Sequence, residues 1–197
     1  MRLSYETVTT SLGPGIRYVI WVQGCHKRCK GCINPEGWDL TGGYEKSLDD
    51  ILKDILSSDN LTGITVSGGE PFLQIDELGK LISLIKSKTK LDVMIFSGYK
   101  IEELLDMYGE RAENIFINTD IFIDGEYIET LNNNSMYRGS DNQRIIFFTD
   151  KYKQHKNDIL NSKKREFSFK ISNSGDVYFV GIPPVGFYED FMDKLGG

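Results

Sequence analysis

The chain has 197 residues, 40% of them hydrophobic and 26% charged, and a formal net charge of −6. That composition excludes a disordered or fibrous protein, and a chain of this size folds as one domain with room for a small appendage, without needing disulfides. The 29 acidic and 23 basic side chains leave no global charge footprint for nucleic acid. No apolar run is long enough to span a membrane, and the opening "MRLSYETVTTSLGPG" lacks the apolar core of a signal peptide. The expectation is a cytoplasmic protein with neither a nucleic acid nor a membrane as partner.

Residues 17–23, "RYVIWVQ", are mostly β-branched, aromatic and aliphatic and read as a buried strand. Trp21 in it, and Trp38 further on, read as packing residues. The strand delivers the chain into "GCHKRCKGC", which holds every cysteine present: Cys25, Cys29 and Cys32. An odd, clustered set of thiols points to metal or redox chemistry rather than to a disulfide framework. The basic residues of "HKRCK" read either as a solvated loop or as a docking surface for an electron donor or partner. Asn34 reads as a residue that shapes the loop through side-chain-to-backbone hydrogen bonds.

Next, "SLDDILKDILSS" carries a capping box (Ser47, Asp50) and an apolar face of Leu48, Ile51, Leu52, Ile55 and Leu56, so a helix is predicted. "LTGITVSGGEP" reads as a strand running into a glycine turn, and Ile75, Leu78, Leu81, Ile82 and Ile85 follow at helical spacing. "LDVMIFSGY" predicts a strand and "KIEELLDMYG" a helix stopped by glycine. "NIFINTDIFIDG" and "QRIIFF" read as further strands. Such alternation implies α/β architecture built from parallel βαβ units, with functional residues at the carboxyl ends of the strands. After Thr149 the pattern changes to a polar stretch, then "EFSFKI", the turn "SNSGD" and "VYFVG" as an antiparallel hairpin, and a short helix in "GFYEDFMDKL". Residues 1–149 thus read as the core domain and 150–197 as an accessory segment.

Three thiolates hold either a zinc ion with a fourth ligand or an iron–sulfur cluster with one iron lacking a protein ligand. His26 adjoins Cys25, an awkward geometry for the same tetrahedron, and His155 is far along the chain, which favours the cluster. The spacing C-x3-C-x2-C resembles the signature of the radical S-adenosylmethionine (radical SAM) enzymes. In that family three cysteines bind a 4Fe-4S cluster, SAM chelates the fourth iron, and reductive cleavage of SAM releases a 5'-deoxyadenosyl radical.

"GPGIRYVIWVQGCHKRCKGCIN" at 13–34, "SGGEP" at 67–71, "FSGYKIEEL" at 96–104, "FIDGEYIE" at 122–129 and "YRGSDNQR" at 137–144 resemble, in the same order, glycyl-radical-enzyme activases of the anaerobic ribonucleotide reductase branch. Leu12 departs from the acid that related activases often carry before GPG, and Gly31 from the aromatic that often precedes the last cysteine.

The resemblance implies an incomplete (β/α) barrel with a small antiparallel hairpin and helix appended, one 4Fe-4S cluster on Cys25, Cys29 and Cys32, and SAM as cofactor. It also implies oxidoreductase activity toward a protein partner, and a reductant such as flavodoxin or ferredoxin. Gly68, Gly69 and Glu70 would receive the SAM ammonium, Ser97 and Asp124 its ribose or methionine moiety, and Tyr99 is a candidate stacking partner for adenine. Arg138, Asn142, Gln143 and Arg144 would line the active-site opening or a docking surface. The alternatives are a radical SAM enzyme acting on a peptide or small metabolite and, from another class, an iron–sulfur electron carrier or zinc-stabilised module.

Overall fold

The protein is described here by a computed structural model covering residues 1–171 and 177–195. Strands β1 (Arg2–Thr9), β2 (Arg17–Val22), β3 (Tyr44–Glu45), β4 (Gly63–Gly68), β5 (Asp92–Ser97), β6 (Ile121–Asp124) and β7 (Arg144–Phe147) form one sheet in the order β3-β1-β2-β4-β5-β6-β7. β2, β4, β5 and β6 are parallel, whereas β1, β3 and β7 run antiparallel to their neighbours. The α/β architecture is as the sequence predicts, with a sheet that does not close on itself.

Helices α1 (Leu48–Ser57), α2 (Ile75–Lys88), α3 (Ile101–Tyr108) and α4 (Glu110–Ile117) fill the connections between the parallel strands. Ser47 caps α1 by accepting from the Asp50 amide at 3.1 Å. One strand face, with Tyr18, Ile20, Val22, Ile64, Val66, Val93, Ile95 and Phe122, packs against Ile51 and Ile55 of α1, Leu78, Leu81, Ile82 and Ile85 of α2, and Ile115 of α4. The other face carries a second cluster of Met94, Ile121, Ile123 and Ile145 with Ile159. Alternate residues of each strand thus enter two cores, which explains why the strands read as continuous apolar runs.

Two expectations are corrected. "NIFI" is the last turn of α4, where Ile115 and Phe116 are buried against the sheet; only Ile121–Asp124 of that apolar stretch is strand. An apolar run of four cannot by itself distinguish a buried helix end from a strand. The strand in "QRIIFF" is antiparallel, because the connection from β6 doubles back without a full crossover helix. The first strand of the sheet is Arg2–Thr9, mostly half-buried, in a stretch for which the sequence gives no predicted element.

Beyond β7, α5 (Lys156–Asn161) lies within the polar stretch and buries Ile159. β8 (Phe167–Ile171) pairs antiparallel with β9 (Val177–Gly181), as expected, and α6 (Phe187–Leu195) follows; the turn "SNSGD" lies outside the described residues. Phe167, Phe169, Phe179, Phe187 and Phe191 pack ring on ring, with Phe167 and Phe187 centroids 4.5 Å apart. This small core meets the main sheet where Tyr178 stacks on Tyr5 of β1, with centroids 4.9 Å apart and planes 5° from parallel.

At the amino ends of the parallel strands, Arg17, Gly63 and Asp92 share one register row. Arg17 Nη1 lies 2.6 Å from Asp92 Oδ1, both side chains being fully buried, in a contact that is ionic rather than a directed hydrogen bond. Arg17 Nε donates to Thr65 Oγ1 at 2.7 Å, and Asp92 Oδ2 accepts from Tyr152 Oη at 2.6 Å and Lys151 Nζ at 2.9 Å. A Cβ on Gly63 would sit 2.4 Å from Asp92 Oδ1 and 2.6 Å from Arg17 Nη1, so the glycine leaves the room this pair needs. Removing one partner strands a buried charge, which costs about 3–5 kcal/mol. Asp92→Asn is therefore expected to lower the unfolding free energy by about 3 kcal/mol in a urea titration; a loss below about 1 kcal/mol would show that the pair supports little.

Candidate active site

The carboxyl ends of β2, β4, β5 and β6, with the start of β7, converge on one edge of the sheet. β2 runs into Gln23-Gly24-Cys25. The Gly24 amide donates to Gly37 O at 2.9 Å and the Cys25 amide to Trp38 O at 3.4 Å, which folds the cysteine loop back on the 3-10 turn Pro35–Trp38. Gly31 takes φ +72°, so the turn favours glycine, and the Glu129 side chain of the 126–129 segment reaches over it, its Oε1 2.5 Å from where a Cβ would stand.

Asn34 holds the loop differently from the sequence expectation. Its side chain makes no capping hydrogen bond; its carbonyl accepts from the Gly37 amide at 3.1 Å, and its amide group packs where a Gly37 Cβ would be. The side chain is occupied in filling that space, so the backbone does the bonding.

The three thiols are free and half-buried. Burial pushes those of Cys25 and Cys29 up, partly offset by the amides of Lys27 and Arg28 at Cys25 and of Tyr127 at Cys29. Each of these two thiols also feels the charge of Cys32, and Cys29 that of Cys25. Among the described residues, no three His, Cys, Asp or Glu side chains are gathered tightly enough to hold a metal ion as the chain stands. An all-sulfur donor set with backbone amides aimed at the sulfurs suits an iron–sulfur cluster, because thiolates are its ligands and N–H donors stabilise their charge. Loading it must expel the thiol protons. The residues present fit such a group.

The β4 turn is bound to this loop through its backbone. The Gly69 amide donates to Val22 O at 2.7 Å and the Glu70 amide to Gly24 O at 2.8 Å. A Cβ on Gly69 would lie 2.2 Å from Gly24 O. Gly68, at φ +107°, would place a Cβ 2.5 Å from both the amide N and the carbonyl O of Val22. The glycines therefore let the two strand ends approach each other backbone to backbone.

Glu70 is 1% exposed. Its Oε1 accepts from Ser97 Oγ at 2.9 Å and the Phe72 amide at 3.1 Å, and its Oε2 accepts from the Gly98 amide at 2.8 Å. Ser97 Oγ in turn accepts from the Tyr99 amide at 3.1 Å. Glu70 and Ser97 thus brace the β4 and β5 ends against each other. Burial pushes the Glu70 carboxyl up to about 7, against the pull of these hydrogen bonds and of Lys27. Lys27 extends from the cysteine loop so that its Nζ lies 3.9 Å from the centroid of the Tyr99 ring.

Asp124, also 1% exposed, accepts from the Ile101 amide at 2.9 Å and from Arg144 Nε at 2.8 Å. Arg144 additionally grips Glu102 through Nη1 at 3.0 Å and Nη2 at 2.7 Å, holding that carboxyl down to about 2. The remaining members of the sequence cluster tie their own loop together. Gln143 Oε1 accepts from the Gly139 amide and its Nε2 donates to Gly125 O, each at 2.8 Å; Asn142 donates to Glu126 O at 2.7 Å; Arg138 donates to Gln143 O at 3.1 Å.

The structure therefore gathers Cys25, Cys29, Cys32, Asn34, Gly68, Gly69, Glu70, Ser97, Asp124 and Arg144 at one sheet edge. Arg138, Asn142 and Gln143 stand behind it as the frame of the 125–143 loop. Sequence reasoning missed the Tyr127 amide at Cys29 and the packing of Lys27 on Tyr99. The basic run "HKRCK" flags Lys27 only by composition, and no sequence signal marks a backbone amide.

The family described as a 4Fe-4S single cluster domain matches residues 11–146. The chain belongs to that family, in its radical SAM branch of glycyl-radical-enzyme activases. Over 148 residues it is 32% identical to the anaerobic ribonucleoside-triphosphate reductase-activating protein of Enterobacteria phage T4, covering 73% of this chain and 91% of that one. The protein of the same name from Haemophilus influenzae is 31% identical over 156 residues, 74% and 97% of the two chains. The pyruvate formate-lyase-activating enzyme of Listeria monocytogenes is 40% identical over 89 residues, 43% of this chain and 36% of that longer enzyme.

Glu70 binds its proton more tightly in the folded chain than in the unfolded one, where its pKa is about 4.3. Its contribution to stability is complete below that value and is lost as pH rises through about 7. Glu70→Gln, which keeps a neutral acceptor, is expected to remove about 3 kcal/mol of the fall in unfolding free energy between pH 5 and 8. Parallel denaturation curves for the two proteins would refute this by showing that the carboxyl titrates normally.

Proposed function

We propose that the chain is a radical SAM activase of the anaerobic ribonucleotide reductase type, generating a glycyl radical in a larger protein partner. The observation that carries this reading is the backbone joint between the three-cysteine loop and the Gly68–Glu70 turn, in a chain of the activase family. When bound, the cluster and SAM supply a 5'-deoxyadenosyl radical that takes a hydrogen atom from the substrate.

The protein's part is to hold and to exclude. Cys25, Cys29 and Cys32 ligate three irons. The rigid turn from Gly68 to Glu70 and the Ser97 end of β5 form the floor for the amino-acid end of SAM, and Tyr99 offers a face for its adenine. Asp124 and Arg144 fix the start of α3 and the end of β6 beside the ribose. The sheet edge suits the open side of an incomplete (β/α) barrel, through which a glycine-bearing loop enters. The electron comes from a flavodoxin- or ferredoxin-type donor in the cytoplasm; among the described residues no helix is long and apolar enough to cross a membrane.

Residues 1–149 act as the core and 150–197 as an accessory segment that recognises the partner. Within that segment, Lys151 and Tyr152 reach Asp92, and Arg165 donates to Ser135 O at 3.1 Å and Gly139 O at 3.2 Å, so residues up to 166 are bound into the core. Beyond 166, Pro183 O accepts from Arg165 Nη1 and the Val185 amide donates to Asn134 Oδ1, each at 2.9 Å, while the phenylalanines of the hairpin and α6 pack on one another. One observation favours a second reading, in which a peptide or small metabolite is modified: these last residues lie beyond the family match at 11–146.

The cluster-loaded, dithionite-reduced protein is expected to convert SAM to 5'-deoxyadenosine and methionine under anaerobic conditions, and Cys29→Ala to do so only at background. A loaded cluster that neither binds nor cleaves SAM would remove the enzyme reading. Deletion of residues 167–197 is expected to leave that cleavage within about twofold while lowering glycyl-radical yield in the partner, read by electron paramagnetic resonance, by about tenfold or more, equivalent to about 1.4 kcal/mol of lost association. Unchanged radical yield would exclude the hairpin from partner recognition.

A further inference from the structure

The surface on which SAM would sit is covered by a side chain of the cysteine loop. Lys27 lies across Gly98: a Cβ built on that glycine would be 3.3 Å from Lys27 Cγ, 3.8 Å from Lys27 Cε and 3.4 Å from Glu70 Oε2. The ammonium comes to rest 3.9 Å from the centroid of Tyr99, a cation–π distance. One methylene chain thus covers the glycine that follows β5, the ring offered to adenine and the approach to the buried carboxylate. The neighbours in the loop differ: Lys30 is 92% exposed and reaches outward to Glu129 at 3.4 Å, and His26 and Arg28 are exposed.

The chemistry of the expected ligand makes this placement significant. SAM carries a sulfonium and an ammonium beside its single carboxylate, so it brings net positive charge to a site that already holds the buried Glu70 carboxylate. An ammonium already facing that anion and that ring competes for the same field and the same surface. We propose that Lys27 is a resident cation standing in for SAM, displaced from Tyr99 and Gly98 when SAM binds, and that it thereby sets the affinity of the site for cationic against neutral ligands. This rests on the SAM reading of the site. Displaced Lys27 joins His26, Arg28 and Lys30 on the outer rim of the loop, so loading changes the charge that the loop presents.

The test is made on the cluster-loaded protein under anaerobic conditions, with binding and labelling rather than turnover as readouts. Brief treatment with an amine-acylating reagent, followed by mass spectrometry, is expected to label Lys27 about twofold to fivefold faster when SAM is bound, in line with loss of one cation–π contact. Lys30 serves as the unchanged internal reference. Lys27→Met, which keeps the stem and removes the charge, is expected to bind SAM about twofold to fivefold more tightly by equilibrium dialysis, and to change the affinity for neutral S-adenosylhomocysteine by less.

Slower labelling of Lys27 with SAM, or weaker SAM binding by the methionine variant, would mean that Lys27 grips the ligand and would overturn the proposal, as would no change in either quantity. If the loaded wild-type protein shows no saturable SAM binding at all, the SAM reading itself fails; that result is distinct from SAM binding that leaves Lys27 where it is.

Discussion

Everything at the functional edge hangs on one joint, where the end of β4 is pressed backbone to backbone against the end of β2. The amides of Gly69 and Glu70 bond to Val22 and Gly24, and the carbonyl of Gly24 occupies the space a Gly69 side chain would need. Two loops of different chemistry, one of thiols and one ending in a carboxylate, are thereby held at fixed separation by main-chain hydrogen bonds. Side-chain rotamers do not enter into that separation, so it is insensitive to the softness of the exposed cysteine loop.

The two ends of the sheet solve opposite problems. At the amino ends, Arg17 and Asp92 are wholly buried and pair with each other, with Thr65, Lys151 and Tyr152 as hydrogen-bond partners. The arginine of the GPG-R block, 13–17, therefore serves the fold from the far side of the molecule. At the carboxyl ends the polar groups are also bonded, but to the ends of neighbouring elements and the loops that leave them: Glu70 to Ser97 and Gly98, Asp124 to Ile101 and Arg144. Such bonds set the positions of loop backbone, and loops supply the surface a ligand meets.

A buried carboxyl that takes up its proton near neutrality, a ring covered by a lysine and thiols raised by burial all describe a site whose charges are balanced internally before any ligand arrives. Loading such a site with a cluster and a cation is an exchange of partners, with thiol protons and the Lys27 ammonium giving way. The hairpin beyond residue 166 is organised differently, its rings packing on one another and touching the main sheet where Tyr178 meets Tyr5, which suits an attachment concerned with what docks rather than with what reacts.

By itself the sequence determined the chemistry and its order along the chain. Three cysteines at C-x3-C-x2-C, glycines before Glu70, and Ser97 and Asp124 at strand ends could all be read from residue type and spacing, as could the parallel strands and helices α1, α2 and α3, because apolar periodicity and capping are local properties. The antiparallel course of Arg144–Phe147, the helical state of "NIFI" and the strand Arg2–Thr9 were decided by tertiary structure, since short apolar runs take the conformation of whatever they pack against. Side-chain partners were decided there too. The family resemblance of "SGGEP" brought Glu70 to the site, but only the approach of β5 gave it to Ser97 and Gly98; composition marked Lys27 as a loop cation, and only the fold laid it on Tyr99. The physical reason is range: residue patterning encodes contacts within an element, whereas a hydrogen bond or a cation–π contact between strand ends exists only once the sheet has brought distant segments within a few ångströms.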